Sequence, residues 1–180
     1  IHCEFNWNTA SDSGGAVYSA GGSSPTLSGC AFNENSANVG GGLSVYSYNK
    51  DSVVVKNCNF NSNTATTNGA AIFNGFEEAG GTVLVKAGCI ISSNVAGVSG
   101  GGIYSEADNI FVSITVFCNN VPDHVTGEWN ENGPNCQASN CEDSDGDELP
   151  DECGELDGWG ALYVPSDYLT IQNAIDAASD

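Results

Sequence analysis

Short runs of apolar and β-branched residues organise this chain, and no helical stripe appears before residue 165. Thr26-Leu27-Ser28, Val53-Val54-Val55, Thr82-Val83-Leu84-Val85 and Ile110-Phe111-Val112-Ser113-Ile114 alternate or are continuously apolar. Gly, Asn and Ser bound each run, so each predicts a short β-strand. Only Ile171, Ala174, Ile175 and Ala178 fall on one helical face, with Ser166 and Asp167 placed to cap it.

The runs recur. Cys3, Cys30, Cys58, Cys89 and Cys118 stand 27, 28, 31 and 29 residues apart, a regularity that repeats keep and disulfide frameworks rarely do. Aligned on those cysteines, Cys3-Glu4-Phe5-Asn6-Trp7-Asn8-Thr9-Ala10, Cys30-Ala31-Phe32-Asn33-Glu34-Asn35-Ser36-Ala37, Cys58-Asn59-Phe60-Asn61-Ser62-Asn63-Thr64-Ala65 and Cys89-Ile90-Ile91-Ser92-Ser93-Asn94-Val95-Ala96 share one pattern. It reads Cys-x-Phe/Ile-x-x-Asn-x-Ala. A Gly-Gly-small-aliphatic-aromatic stretch follows, as in Gly100-Gly101-Gly102-Ile103-Tyr104. A fifth copy, Cys118-Asn119-Asn120-Val121, keeps the Cys and loses the rest.

One such unit cannot bury its own apolar side, whereas stacked units bury it and pair each strand with those above and below. The expected fold is therefore all-β, a parallel β-helix of four to five turns over residues 1–135. At about 4.8 Å per ladder step it would stand about 20 to 24 Å tall. Phe and Ile should point inward and stack. Asn should tolerate a left-handed corner and bond along the stack. Gly-Gly should turn the backbone sharply, and Ala should fit where walls approach. The five cysteines would then line up as an inward column of thiols filling space. Disulfides between successive turns are the rival, although parallel neighbours give poor disulfide geometry. No basic group sits beside these cysteines in sequence, so a redox role is not expected.

Charge narrows the function. The 180 residues hold 3 Lys+Arg against 23 Asp+Glu, a formal net charge of -20. That excludes nucleic-acid binding, which needs cations to displace phosphate counterions, and disfavours anionic lipid. No Arg is present, so there are no Arg clamps. No apolar run is long enough for a spanning helix. Eight Cys lean towards an exported protein. The opening Ile1-His2-Cys3 suggests a processed or excised piece of a longer chain. No Asn-x-Ser/Thr acceptor occurs.

With these residues in view, a resemblance can be stated. Phe-x-x-Asn-x-Ala followed by Gly-Gly-Ala-Val/Ile resembles the repeat of chlamydial-type polymorphic outer-membrane proteins. Ser24-Pro25-Thr26-Leu27-Ser28-Gly29-Cys30-Ala31-Phe32 and Pro122-Asp123-His124-Val125 are similar to right-handed β-helix repeats of large planctomycete-type secreted proteins. The resemblance covers residues 1 to about 135. It implies a right-handed, extracellular helix, secreted or at the cell surface, with structural or adhesive rather than catalytic residues.

Residues 136–158 differ in kind. Asp143-Ser144-Asp145-Gly146-Asp147-Glu148-Leu149-Pro150-Asp151 places carboxylates at positions 1, 3, 5 and 9 of a loop and the Leu149 carbonyl at position 7, the ligand spacing of a calcium site. It resembles the Asp-rich loops of thrombospondin type 3 and dockerin modules. Two departures stand out. Glu148 replaces the usual Gly at position 6, and Gly154 stands at position 12, so Glu152 or Glu155 must substitute. The expected ligands are Asp143, Asp145, Asp147, Leu149, Asp151 and Glu152, with calcium relieving their repulsion. The plain alternative is a solvated acidic linker. Cys141 and Cys153 would close this loop as a disulfide, leaving Cys136 to pair with Cys118.

Residues 159–180 read as a strand plus an amphipathic helix. Val164-Pro165-Ser166-Asp167-Tyr168-Leu169-Thr170-Ile171-Gln172-Asn173-Ala174-Ile175-Asp176-Ala177-Ala178 resembles the opening of pectin-lyase-like β-helices, where a short helix plugs the first turn. That raises head-to-tail self-association, the tail of one copy covering the open first turn of the next.

A catalytic reading finds little. Lys50, Lys56 and Lys86 are the only cations, and Glu4, Asp12, Glu34, Asp51, Glu77, Glu78, Glu106 and Asp108 share no register position. Glu77-Glu78 and Glu106-Asp108 are the pairs that turns would bring together. His2 and His124 are lone histidines. Trp7, Tyr46, Tyr48, Trp129 and Trp159 are candidates for a sugar platform, with Trp129 better suited to a closing cap. The expectation is a non-enzymatic structural or adhesive module whose partner is itself. The alternative is a carbohydrate-active β-helix that binds or cleaves polysaccharide.

Overall fold

In the computed structural model, which describes residues 2–47, 52–76, 81–144, 146 and 149–153, the chain winds into a parallel β-solenoid. The first turn carries β1 (Glu4–Asn6), β2 (Val17–Ala20) and β3 (Thr26–Ser28). The second carries β4 (Ala31–Asn33), β5 (Ser36–Ala37), β6 (Leu43–Ser47) and β7 (Ser52–Lys56). The third repeats this as β8 (Asn59–Asn61), β9 (Thr64–Ala65), β10 (Ile72–Phe76) and β11 (Thr82–Lys86). The fourth holds β12 (Cys89–Ser92), β13 (Val95–Ala96), β14 (Ile103–Ser105) and β15 (Ile110–Val112). A shortened fifth holds β16 (Thr115–Cys118), β17 (Val125–Gly127) and β18 (Asn130–Glu131), and β19 (Cys136–Ala138) starts beyond it. No α-helix occurs among the described residues, and the helix expected within 159–180 lies outside them.

Every strand pairing is parallel and joins equivalent positions of successive turns. Sheet order β1-β4-β8-β12-β16-β19 forms one wall, β17-β14-β10-β6-β2 a second and β18-β15-β11-β7-β3 a third. The short β13-β9-β5 ladder turns a corner. The register Phe5↔Phe32↔Phe60↔Ile91↔Phe117 sets one column in the core. Phe5 and Phe32 stack with centroids 4.8 Å apart, and Phe32 and Phe60 at 4.4 Å and 1°. Facing them are Val17, Leu43, Ile72, Ile103 and Val125 from the second wall and Val53, Val55, Val83, Val85, Ile110 and Val112 from the third. The alternation of β7 and β11 follows from this: Val53, Val55, Val83 and Val85 are buried, and the residues between them are not.

The asparagines bond along the stack, as the repeat predicts, but they are not the left-handed residues. Those are their predecessors Trp7, Glu34, Ser62, Ser93 and Asn119, all at φ 55°. The corner bends there, and the following Asn enters the core. Asn35, Asn63 and Asn94 are fully buried. Each gives its backbone N and Nδ2 to the Oδ1 of the asparagine one turn on, at 2.9 to 3.0 Å between Asn35, Asn63 and Asn94. The first glycine of each Gly-Gly pair, Gly40 for example at φ 62°, takes the left-handed turn that only glycine adopts freely.

Cys30, Cys58 and Cys89 are buried free thiols below an exposed Cys3, which settles the column as thiols over these four turns. The fifth member expected from sequence is corrected. Cys89 pairs in register with Thr115, and Cys118 pairs with Ser92. The fifth copy therefore begins at Thr115 and retains Phe117 and Asn120; the 29-residue Cys spacing is a coincidence of a shortened turn. Burial pushes the Cys58 thiol up and carries Cys89 to about 12, and a thiol without its anion is a poor nucleophile. Native protein treated with iodoacetamide should label at Cys3 and leave Cys58 and Cys89 unmodified until denaturant is added. Mass spectrometry that found Cys89 alkylated as fast as Cys3 would show an open column.

Candidate functional site

Three features of the described surface bear on function: the closed late end, an outward aromatic stripe and the acidic segment.

The late end is built by Val121-Pro122-Asp123-His124. Because the fifth turn is short, Gly100 N finds no carbonyl and donates to Asp123 Oδ1 at 2.8 Å; in the preceding turns the equivalent glycines, Gly40 and Gly69, donate to Asn68 O and Ser99 O. Thr126 Oγ1 also donates to that carboxylate. Asn94 gives N and Nδ2 to Asn120 Oδ1, which fixes the Asn120 amide, and Asn120 Nδ2 then donates to Ile91 O and to His124 Nδ1 at 3.2 Å. The imidazole proton is thereby placed on Nε2, which donates to Ala138 O at 2.9 Å. One neutral histidine closes the asparagine ladder and ties it to β19. Trp129 packs against the core here.

Burial holds His124 below its ordinary value of 6.5, against the opposing pull of the Ala138 carbonyl, Asp123 and Glu152. A depressed histidine contributes stability that is complete above the unfolded value and is lost as pH falls through the folded one. Melting temperature should therefore drop on acidification below pH 6.5, before the carboxylates titrate. A His124→Gln variant should show a flatter profile over that interval. A wild-type profile that stays level from pH 7 to 5 would refute the role given to this ring.

The aromatic stripe lies on the outer face of the β2-β6-β10-β14 wall. Tyr18, Tyr46, Phe73 and Tyr104 follow one another with every centroid step 5.7 Å. Ser44 occupies the register position between Tyr18 and Phe73, and Tyr46 leans into the space beside it, over Gly75, where a Cβ would meet the ring at 2.5 Å. Tyr18 is exposed and Phe73 buried beneath its neighbours. Of the platform candidates, Tyr46 belongs to this stripe. Trp7 stands out alone at 70% exposure, Trp129 is in the cap, and Tyr48 and Trp159 lie outside the described residues. The motif's closing aromatic was the signal for the stripe; the contribution of Tyr46, two positions off register, was not visible in it.

The acidic segment is strapped to the last turn. Disulfides join Cys118 to Cys141 and Cys136 to Cys153, not Cys141 to Cys153 and Cys118 to Cys136 as the sequence suggests. The reason is register: β16 and β19 lie side by side in one sheet, with Cys118 beside Ala138 and Cys136 beside Val116. Each cysteine is met from outside by the returning segment. Of the expected calcium ligands, Asp145 and Asp147 lie outside the described residues, as does Glu148. Asp143 Oδ1 accepts from Gly146 N at 2.7 Å. Asp151 accepts from Ser144 N and Oγ, both at 2.7 Å, and Glu152 from Ser139 N and Oγ. These serine contacts hold both carboxyls below their usual range. Leu149 packs its side chain beside Val116, Cys118, Cys136 and Ala138. Among the described residues no three His, Cys, Asp or Glu side chains converge as a metal site. Glu77 and Glu78 fall outside them, so the suggested meeting with Glu106 and Asp108 does too.

Residues 88–106 match the model of the Chlamydia polymorphic membrane protein repeat. No curated protein and no solved structure matches the chain.

Proposed function

We propose that this chain is a non-catalytic solenoid segment of a surface protein, structural or adhesive in role. The observation that carries the reading is where the matched repeat falls in the fold. Residues 88–106 span β12, β13 and β14, three of the four strands of the fourth turn. Cys89 and Ile91 lie in core columns, Asn94 in the ladder and Ala96 in the small-residue corner. Gly100 makes the left-handed turn at φ 65° and Ile103 fills the opposite wall. The positions that define the motif thus serve stacking, which supports a structural rather than a catalytic reading. Antibody to this chain should label intact cells that make the parent protein, and labelling only after permeabilisation would overturn the surface reading.

Calcium at Asp143, Asp145, Asp147, Leu149, Asp151 and Glu152 and head-to-tail self-association belong to the same proposal. Calcium should raise the melting temperature of the intact chain, and a chelator should lower it again. A melting curve unmoved by either removes the metal. Electron microscopy should show filaments repeating near one chain's length; isolated short rods would remove self-association.

The aromatic stripe supports a second reading, a polysaccharide lying along the solenoid axis across Tyr18, Tyr46 and Tyr104, since aromatic rings present apolar faces and polar tips together. Affinity electrophoresis in neutral polysaccharide gels should retard the chain, and Tyr18→Ala should release it. New reducing or unsaturated ends in the gel would mean cleavage instead.

A further inference from the structure

The outer face of the third wall carries a charge opposite to that of the chain. The 180 residues include three cations, Lys50, Lys56 and Lys86, against 23 carboxylates. Lys56 and Lys86 end β7 and β11 and stand side by side in register, with Ser28 one turn earlier in the same column. Neither ammonium group enters a hydrogen bond or ion pair among the described residues. Lys56 is half-buried and Lys86 exposed. No outward position of β3, β7, β11 or β15 holds an Asp or Glu.

Like charges directly opposite on neighbouring strands are destabilising, and a serine, as at Ser28, would fill the position without that cost. A second column runs two residues before the lysines. It consists of Val54, Leu84 and Phe111, one per turn and each half-buried. Both columns follow the solenoid axis, across the strands, at the ladder step of about 4.8 Å. An apolar track thus lies beside a doubly charged one.

Three features identify what fits there. Two ammonium groups one ladder step apart bracket a single oxyanion with charge-assisted bonds. The strands β7 and β11 are paired on both sides, so no peptide strand can be added at them. A peptide laid across the track would press unpaired N–H and C=O groups against apolar side chains. A sugar chain avoids that penalty, because its hydroxyls lie at the ring rim and its C–H faces pack on aromatic and aliphatic side chains. The third feature is charge. The carboxylates elsewhere repel polyanions, but charges beyond about 8 Å are largely screened at physiological salt. The lysine pair therefore decides at contact, and it suits widely spaced anionic groups better than one on every sugar.

We propose that this wall binds an acidic polysaccharide laid along the solenoid axis. One carboxylate sits between Lys56 and Lys86, and the neighbouring sugar rings cover Val54, Leu84 and Phe111. The site is separate from the aromatic stripe on the β2-β6-β10-β14 wall and does not rest on the reading given to that stripe.

The probe is a hyaluronan octasaccharide, which carries a carboxylate on every second sugar. Titrated into the intact chain in a calorimeter, it should bind. Its methyl ester, which keeps the rings and loses the charge, should bind about ten-fold more weakly or worse. Lys56→Gln and Lys86→Gln should each weaken the acid form by a similar factor and leave the ester unchanged, while Tyr18→Ala should alter neither. Both lysine variants should melt no lower than the wild type, since each relieves the repulsion of the pair. No binding at millimolar octasaccharide, equal binding of acid and ester, or a loss on Tyr18→Ala as large as on Lys86→Gln would overturn the proposal. A lower melting temperature in either lysine variant would overturn it too, by giving the pair a role in the fold. So would carbodiimide coupling of Lys56 or Lys86 to Glu155 or Asp157 within one molecule, which would make the chain's own acidic residues the occupant.

Discussion

An Asn63→Ala variant is expected to lose about 3 to 5 kcal/mol of unfolding free energy, because one side chain satisfies so many buried groups. Asn63 Oδ1 accepts from Asn35 N and Nδ2, and its Nδ2 donates to Phe32 O and Asn94 Oδ1. Alanine removes all four bonds in a region with no exposure. A buried donor left unpaired costs about 1 to 3 kcal/mol, and the backbone N of Asn35 cannot turn elsewhere because both neighbouring turns hold it. Asn63→Asp should be no milder despite its shape. It keeps the acceptor but sets a carboxylate against Asn94 Oδ1 and strips the donors. Asn33→Ala is the control. Asn33 makes a comparable amide bond to Asn6 Oδ1 at 2.9 Å, but on the half-exposed flank, where water replaces it for about 0.5 to 1 kcal/mol. Urea unfolding of the three variants would decide the matter, and equal midpoints for Asn33→Ala and Asn63→Ala would refute the ladder's importance.

The damage should also be local in origin. A solenoid is held by neighbour-to-neighbour contacts, so Asn63→Ala weakens the junction of the second and third turns first. Hydrogen exchange should accelerate at Asn35 and Asn63 before it does at the disulfide-bound late end.

That the chain would stack was legible because the motif repeats the same columns: Phe or Ile, Asn and Ala recur at fixed offsets in the first four turns, a glycine-led stretch follows each, and each maps to one position in those turns. The strands at Thr26–Ser28, Ser52–Lys56, Thr82–Lys86 and Ile110–Val112 were visible for the same reason. What misled was alignment on cysteine. Cysteine serves two unrelated purposes here, a small buried filler at Cys30, Cys58 and Cys89 and a disulfide at Cys118. A one-letter identity cannot separate them, whereas anchoring on Phe117 and Asn120 would have. The ladder's terminator was hidden differently. Asp123 and His124 act by replacing a carbonyl and a next asparagine that the fifth turn lacks, and a substitute for a missing group has no repeat to betray it. The acidic segment was legible as composition, but its disulfide pairing depends on which walls lie side by side, information that spacing does not contain.

Phe60→Ala should match or exceed the asparagine variant, at about 3 to 5 kcal/mol. The ring is fully buried, parallel to Phe32 at 4.4 Å and followed in its column by Ile91. The chain packs against it from the side as well: a Cβ on Gly42 would meet Phe60 Cδ1 at 2.9 Å. Large-to-small changes cost least where the surroundings can collapse. Here they cannot, because β4, β8 and β12 are tied into one sheet whose hydrogen bonds fix the spacing of the turns at about 4.8 Å. The void therefore persists and the effect falls high in its range. Two comparisons make the argument testable. Phe60→Ile places in the third turn the residue type that the fourth turn already carries at Ile91, and should cost less than about 1.5 kcal/mol. Phe5→Ala opens the column at its half-buried end, where water can fill the space, and should cost less than Phe60→Ala. The double variant Phe60→Ala/Asn63→Ala should lose less than the sum of the two, since the ring and the amide lie three residues apart in the core of the same turn and both changes loosen the same junction. A Phe60→Ala protein that melts with the wild type would mean that the column yields, and that the ladders, not the rings, set the stability of this stack.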